Sequence, residues 1–197
     1  VSPSWKLRRL AFVAALGFAA TLAGCGHSPD TQLFVLTVQP SRAPTAYAGS
    51  PLQVRTVHLP PQFDRPEVLS VAEGGQVRPH PFAQWAAPVG ELAQSALTAD
   101  LAARLPEGKV VFPNAPASAG TLLVTVDVLE AQISGGGGAA DVSWTLTTRG
   151  PKPSDPIQAV THTAQLHVDP EGSGPAGDAD ALARLLSQLA DKIAASL

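Results

Sequence analysis

The chain has 197 residues, 13 basic and 16 acidic side chains, and a formal net charge of −3. It has no basic excess or Arg-rich run to meet nucleic-acid phosphates, and its lone cysteine excludes an internal disulfide framework. The length suits one domain with tails, and 19 prolines and 17 glycines commit much of the chain to turns.

Lys6, Arg8 and Arg9 open the sequence, and Leu10 to Gly24, LAFVAALGFAATLAG, follows without a charge. A membrane-spanning helix needs about 20 apolar residues, and this run is shorter. Its length and basic flank match the apolar region of a secretory signal peptide. The run ends in Leu22-Ala23-Gly24-Cys25, a tetrad that resembles a bacterial lipobox. That resemblance implies that Cys25 is lipidated, palmitate included, and becomes the first mature residue. A buried core thiol is the alternative, but the following His-Ser-Pro-Asp loop does not suit one. A single acyl chain, at about 0.8 kcal/mol per buried CH₂, holds only weakly, so the several chains of such lipoproteins are what make the attachment durable. Gly26 stands where an Asp favours retention in the inner membrane, which points to the periplasmic face of the outer membrane. Residues 1–24 therefore read as a lipoprotein signal peptide, 25–32 as a lipid-anchored tether and 33–197 as a single domain. The signal carries three basic and no acidic residues, so the remainder has a net charge of −6.

In that remainder, LFVLTV at 33–38 reads as a first strand and 39–51 as a Pro/Ser/Ala-rich loop. Alternation over 52–59 predicts a half-buried strand with Leu52, Val54, Thr56 and His58 on one face. A Pro-stiffened turn at 60–67 and a short strand at 68–72 follow, and EGGQVRPHP reads as a further loop. Val89, Ala93, Leu97, Leu101 and Leu105 then recur every four residues, one face of a helix, with Pro88 at its start and Pro106 and Gly108 at its end. Residues 109–112 read as a short strand.

Three alternating runs come next. Val124, Val126 and Val128 share a face, as do Val142, Trp144 and Leu146, and Val160, His162, Ala164 and Leu166. Turn-rich links, Gly135 to Gly138 and Pro151 to Pro156, make them an antiparallel meander in sequence order. Leu182, Leu185, Leu186, Leu189 and Ile193 then predict a final helix, with Asp178 and Asp180 near its positive end and Lys192 near its negative end. The fold class is α+β: an antiparallel sheet with a three-stranded C-terminal meander and two helices packed on one face.

No motif for catalysis stands out. GGGG at 135–138 lies between two strands, which is not the setting of a phosphate-binding loop. His162 and His167 differ by an odd number and face opposite ways on one strand, so no metal site is expected there. The dispersed carboxylates suit a solvated surface. The reading is of a non-enzyme with no cofactor other than the lipid on Cys25. The leucine-rich stripes suit core packing rather than membrane binding, so the anchor is the expected membrane contact.

One cluster goes beyond scaffold. VHLPPQFDRPEVLSV sets Phe63, Asp64, Arg65 and Glu67 in a turn held by Pro60, Pro61 and Pro66, and QWAAPV sets Trp85 before Pro88. This succession resembles the ABC-type transport auxiliary lipoproteins of the PqiC (YmbA) kind, which show a Leu-Pro turn ending in Asp-Arg-Pro and then an Arg-Trp-Ala-Glu-Pro-Leu segment opening a helix. Here Gln84 and Ala87 replace the Arg and Glu, so any ion pair between them is absent. The resemblance implies a non-catalytic outer-membrane component that docks a periplasmic MCE-domain assembly served by an ABC-type permease, for transport of lipids or other hydrophobic compounds between membranes. Some relatives form rings, which leaves a homo-oligomer open.

Phe63, Asp64 and Arg65 are the candidate partner-binding residues, on an exposed loop, because aromatic and Arg side chains are enriched at binding hot spots. Trp85 either packs the helix start onto the sheet or belongs to the interface. Two rivals stay open: a lipid-carrier module, which needs an apolar pocket of several hundred Å³, and an unrelated envelope hydrolase, which needs convergent titratable residues.

Overall fold

The computed structural model describes residues 29–39, 46–149 and 155–197, and Thr31–Leu197 forms one compact unit. The candidate lipid site, Cys25, lies outside the described residues. The strands are β1 (Gln32–Phe34), β2 (Leu52–His58), β3 (Glu67–Val71), β4 (Val77–Trp85), β5 (Val110–Val111), β6 (Leu122–Ser134), β7 (Gly137–Arg149) and β8 (Ile157–Val168). The helices are α1 (Val89–Ala102), between β4 and β5, and α2 (Gly174–Ala195), after β8.

The C-terminal meander forms as its alternation predicts: β6, β7 and β8 pair antiparallel in sequence order. Its first turn is tighter than the glycine run suggests. Gly135 and Gly136 alone make it, at φ 63° and 75°, while Gly137 and Gly138 already belong to β7. Two consecutive positive φ values define the two-residue turn whose twist matches the flanking strands.

The sheet as a whole is mixed. Its other edge is forked at β6, whose first half pairs parallel with β2 while Ile133, near its end, pairs with Val71 of β3. Beyond β2 lies β5, parallel; beyond β3 lie β4, antiparallel, and then β1, parallel to β4. The stretch 77–85 is therefore a strand, which corrects the loop expected over EGGQVRPHP for residues 77–81. Pro79 and Pro81 each remove one ladder donor, and β4 accommodates them in an irregular register: Pro79 faces Leu69, and the next registered pair is Gln84 with Glu67.

Two bulges decide which side chains reach the core. In β2, Val54 faces Val124 and Thr56 faces Thr125, so Arg55 is the extra residue. An extra residue turns the rest of the strand over, and Val57 joins Leu52 and Val54 inside while His58 points out. In β6 the extra residue is Leu129, between Val128 and Glu130. It is exposed, whereas Ala131 and Ile133 return to the core.

The helices pack together and onto the sheet, α1 over β2 and α2 over β7, β8, β3 and β6. Val89, Ala93, Leu97 and Leu101 of α1 are buried, as are Leu182, Leu185, Leu186, Leu189 and Ile193 of α2, each large side chain contributing about 1.5–3 kcal/mol by leaving water. The second helix starts at Gly174 with Pro175 in its first turn, earlier than its acidic residues suggest. Asp178 consequently lies inside, where its Oδ1 accepts the Gly136 N–H at 3.0 Å.

Candidate functional site

The Pro-stiffened turn is a short 3₁₀ segment, Pro61–Phe63. Phe63 N–H donates to the Pro60 carbonyl at 2.9 Å and Asp64 N–H to that of Pro61 at 3.1 Å. Phe63 is 3% exposed and belongs to the core. This corrects its assignment to an exposed docking loop: the prolines aim the ring inward, where it fixes the turn to the sheet. Asp64 and Arg65 stay exposed. Arg65 Nε donates to Glu67 Oε2 at 3.0 Å, so its local partner is Glu67, two residues on. Glu67's own backbone N–H, and then this guanidinium, hold the Glu67 carboxyl below its ordinary range.

Trp85 approaches the turn from the end of β4. Its N–H donates to the Pro66 carbonyl at 2.7 Å, and the next N–H, of Ala86, donates to Phe34 at 2.8 Å. The indole is buried. Pro88 follows as the N-cap of α1, and its carbonyl accepts from Glu91 and Leu92. The two segments that carry the family resemblance thereby meet. Asp64, Arg65, Pro66, Trp85, Ala87, Pro88 and Val89 line one open cleft of about 350 Å³. Its lining is mixed: Pro66, Trp85, Ala87, Pro88 and Val89 are apolar, and Asp64 and Arg65 add an acid and a guanidinium. Nothing in its lining pairs a nucleophile with a base.

A second polar cluster was not legible, because its members lie far apart in sequence. Ser70 Oγ lies 2.8 Å from His80 Nε2 and 2.5 Å from Asp178 Oδ2. These are the residue types of a hydrolytic triad in a different arrangement. In a triad the histidine bridges the other two through its two ring nitrogens. Here one nitrogen, Nε2, faces both Ser70 and Asp178, the latter at 3.4 Å, and Asp178 is buried and also holds Gly136. The cluster fastens the hairpin turn, β3 and α2 together. Among the described residues no group of three metal-ligating side chains converges.

A third cluster binds the helices to each other. Arg104 donates to Asp191 at 2.6 Å, to the Ser187 hydroxyl at 2.6 Å and to the Asp100 carbonyl at 2.9 Å. Asp100 Oδ1 accepts the Gln39 N–H at 3.2 Å, and its Oδ2 finds no partner among the described residues. Burial pushes the Asp100 carboxyl above its ordinary range, against the pull of Gln39 and Arg104.

The model of the ABC-type transport auxiliary lipoprotein component family matches residues 34–194. The chain belongs to this family, a component class of ABC-type transport. Among curated proteins none matches. Two crystal structures share the fold. One, of an uncharacterized protein, is 19% identical with a TM-score of 0.62, covering 85% of this chain and 99% of its own. The other, of a Xanthomonas campestris protein of the DUF330 family, is 15% identical with a TM-score of 0.55, covering 82% and 92%.

Proposed function

We propose that the chain is an outer-membrane lipoprotein, acylated at Cys25, that docks a periplasmic MCE-domain assembly in transport of lipids or other hydrophobic compounds between the two membranes. Its part is structural, not enzymatic. Family membership supports the transport role, and the lipobox supports the anchor. The observation that carries the docking surface is the cleft in which Asp64-Arg65-Pro66 and the segment from Trp85 to Val89 converge. The apolar part of its lining suits an inserted aliphatic or aromatic side chain of the partner. Arg65 keeps its terminal guanidinium nitrogens for a carboxylate, which it binds in planar, bidentate fashion.

The space between sheet and helices counts against a lipid carrier, since Leu97, Leu101, Val124, Val126, Leu189 and Ile193 fill it and are buried to 1% exposure or less. The geometry of Ser70, His80 and Asp178 counts against a hydrolase.

The test is crosslinking and co-purification from native membranes, with the wild type beside an Asp64→Ala/Arg65→Ala double variant. Recovery of an MCE protein with the wild type and its loss with the folded variant is the expected result. Undiminished recovery with the variant places the docking surface elsewhere. Failure of the wild type to recover any MCE protein, under conditions that preserve related complexes, overturns the transport partner itself.

A further inference from the structure

The segment Leu33–Leu36 is apolar on both of its faces. Phe34 and Leu36 pack against the core, while Leu33 and Val35 point the other way and are 68% and 56% exposed. A continuous apolar run is the mark of a strand covered on both faces, yet the described residues cover only one. The neighbouring strand repeats the pattern. Ala83 and Trp85 of β4 are buried, and Phe82 between them and the bulge is 45% exposed. Leu33 stands opposite Gln84 in the parallel ladder, so Phe82, two residues before Gln84, shares its face and is its diagonal neighbour. Leu33, Val35 and Phe82 thus make one apolar patch. Of the nine large apolar side chains exposed among the described residues, five come from 33–38 and β4, so the exposure is concentrated at one end of the sheet.

The position of the patch in the chain bears on what covers it. Leu33 follows Cys25 by eight residues, a length of chain that reaches about 28 Å at most when fully extended. A domain of this size is about 40 Å across. An anchor at Cys25 therefore keeps the β1 end of the domain on the membrane side. Glu67, which pairs with Gln84 on the neighbouring strand, is met by Arg65.

We propose that Leu33, Val35 and Phe82 form a membrane-contact patch, seated in the headgroup–acyl boundary of the leaflet that holds the lipid anchor. The proposal rests on acylation of Cys25. It adds a second, reversible contact to the covalent one, which fixes how the domain is presented, whereas acyl chains alone leave it free to swivel.

The test uses the full chain, expressed with its own leader and purified from membranes, in vesicles of phosphatidylethanolamine and phosphatidylglycerol. Leu33→Cys, Phe82→Cys and, on the exposed side of β8, Thr163→Cys variants are labelled with an environment-sensitive fluorophore. The wild type monitors the anchor separately: an acylated Cys25 takes no label, so labelling of the wild type means the anchor reading has failed. With Cys25 blocked, the expected result is blue-shifted emission at 33 and 82, quenched by lipid-borne nitroxide, with water-like emission at 163. Equal, water-like emission at all three sites overturns the patch. A blue shift at 33 and 82 without quenching by the lipid-borne probe overturns it as well, because a protein surface or a second copy is then the cover.

Discussion

Arg104 at the end of α1 donates through Nε to Asp191 of α2 at 2.6 Å, and the same guanidinium reaches Ser187 and Asp100. One buried cation thus joins the two helices. Removing the cation leaves Asp100, buried and 3.4 Å from it, uncompensated, and breaking a buried pair typically costs about 3–5 kcal/mol. Arg104→Met should therefore destabilise the domain by about that much, read as a lower urea midpoint at unchanged slope. A loss under about 1 kcal/mol would show that Asp100 and Asp191 find other partners or water.

Asp100 sets a pH dependence with a definite sign. Its carboxyl is raised above its ordinary 3.8, with burial as the first cause. Between that value and the raised one the folded state holds more protons than the unfolded, so stability falls as pH rises through the window. Glu67 acts in the opposite sense. Held below its ordinary 4.5, it contributes stability above that value, and the contribution is lost as pH falls through the lowered one. Asp100→Asn removes the first effect and leaves the second. Unfolding titrations from about pH 3 to pH 7 should show the variant gaining on the wild type as pH rises; parallel curves would refute the assignment.

Phe63 and Arg65 should separate cleanly. Phe63→Ala removes a core ring and should cost about 3–5 kcal/mol. Arg65→Ala removes an exposed pair with Glu67, and its effect on stability should stay under about 1 kcal/mol. Thermal melts of the two variants decide the matter, and similar losses would mean that the turn depends on both residues.

The two turn glycines should also differ. Both need positive φ, but a side chain at Gly135 meets open space, whereas one at Gly136 overlaps the Glu171 carbonyl. Gly136 further accepts from Glu171 at 2.9 Å and donates to Asp178. Gly135→Asn, a residue that tolerates this conformation, should be near neutral, and Gly136→Asn should cost several times more in the same melt.

What the sequence makes legible is whatever short-range periodicity controls. The β6–β8 meander, the stripes of both helices and the short β5 can be read from spacing alone. The bulges at Arg55 and Leu129 cannot, since one extra residue reverses a face without altering composition. The β4 strand hides behind Pro79 and Pro81, which look like loop residues until neighbours on both sides supply its remaining hydrogen bonds. Pairing of β2 with β6, some 70 residues apart, depends on the whole fold. In the candidate site, the two motif segments are visible as residues, but their meeting in one cleft is not. Phe63 is not legible as a core residue, because an aromatic next to prolines reads the same whether the turn aims it outward or inward.

The fork at β6 gives the domain an uneven mechanical build. The arm of β1, β4 and β3 joins the rest of the sheet through one registered pair, Val71 with Ile133, supplemented by packing of β3 under α2; the β2–β6–β7–β8 portion has long ladders throughout. Tension arriving at Thr31 is therefore borne at the fork mainly by side-chain contacts, which yield more readily than a ladder loaded along its length. In single-molecule pulling between Thr31 and the C-terminus, the arm should release first, at low force, while the meander holds. A single all-or-none rupture would show that α2 carries the load across the gap.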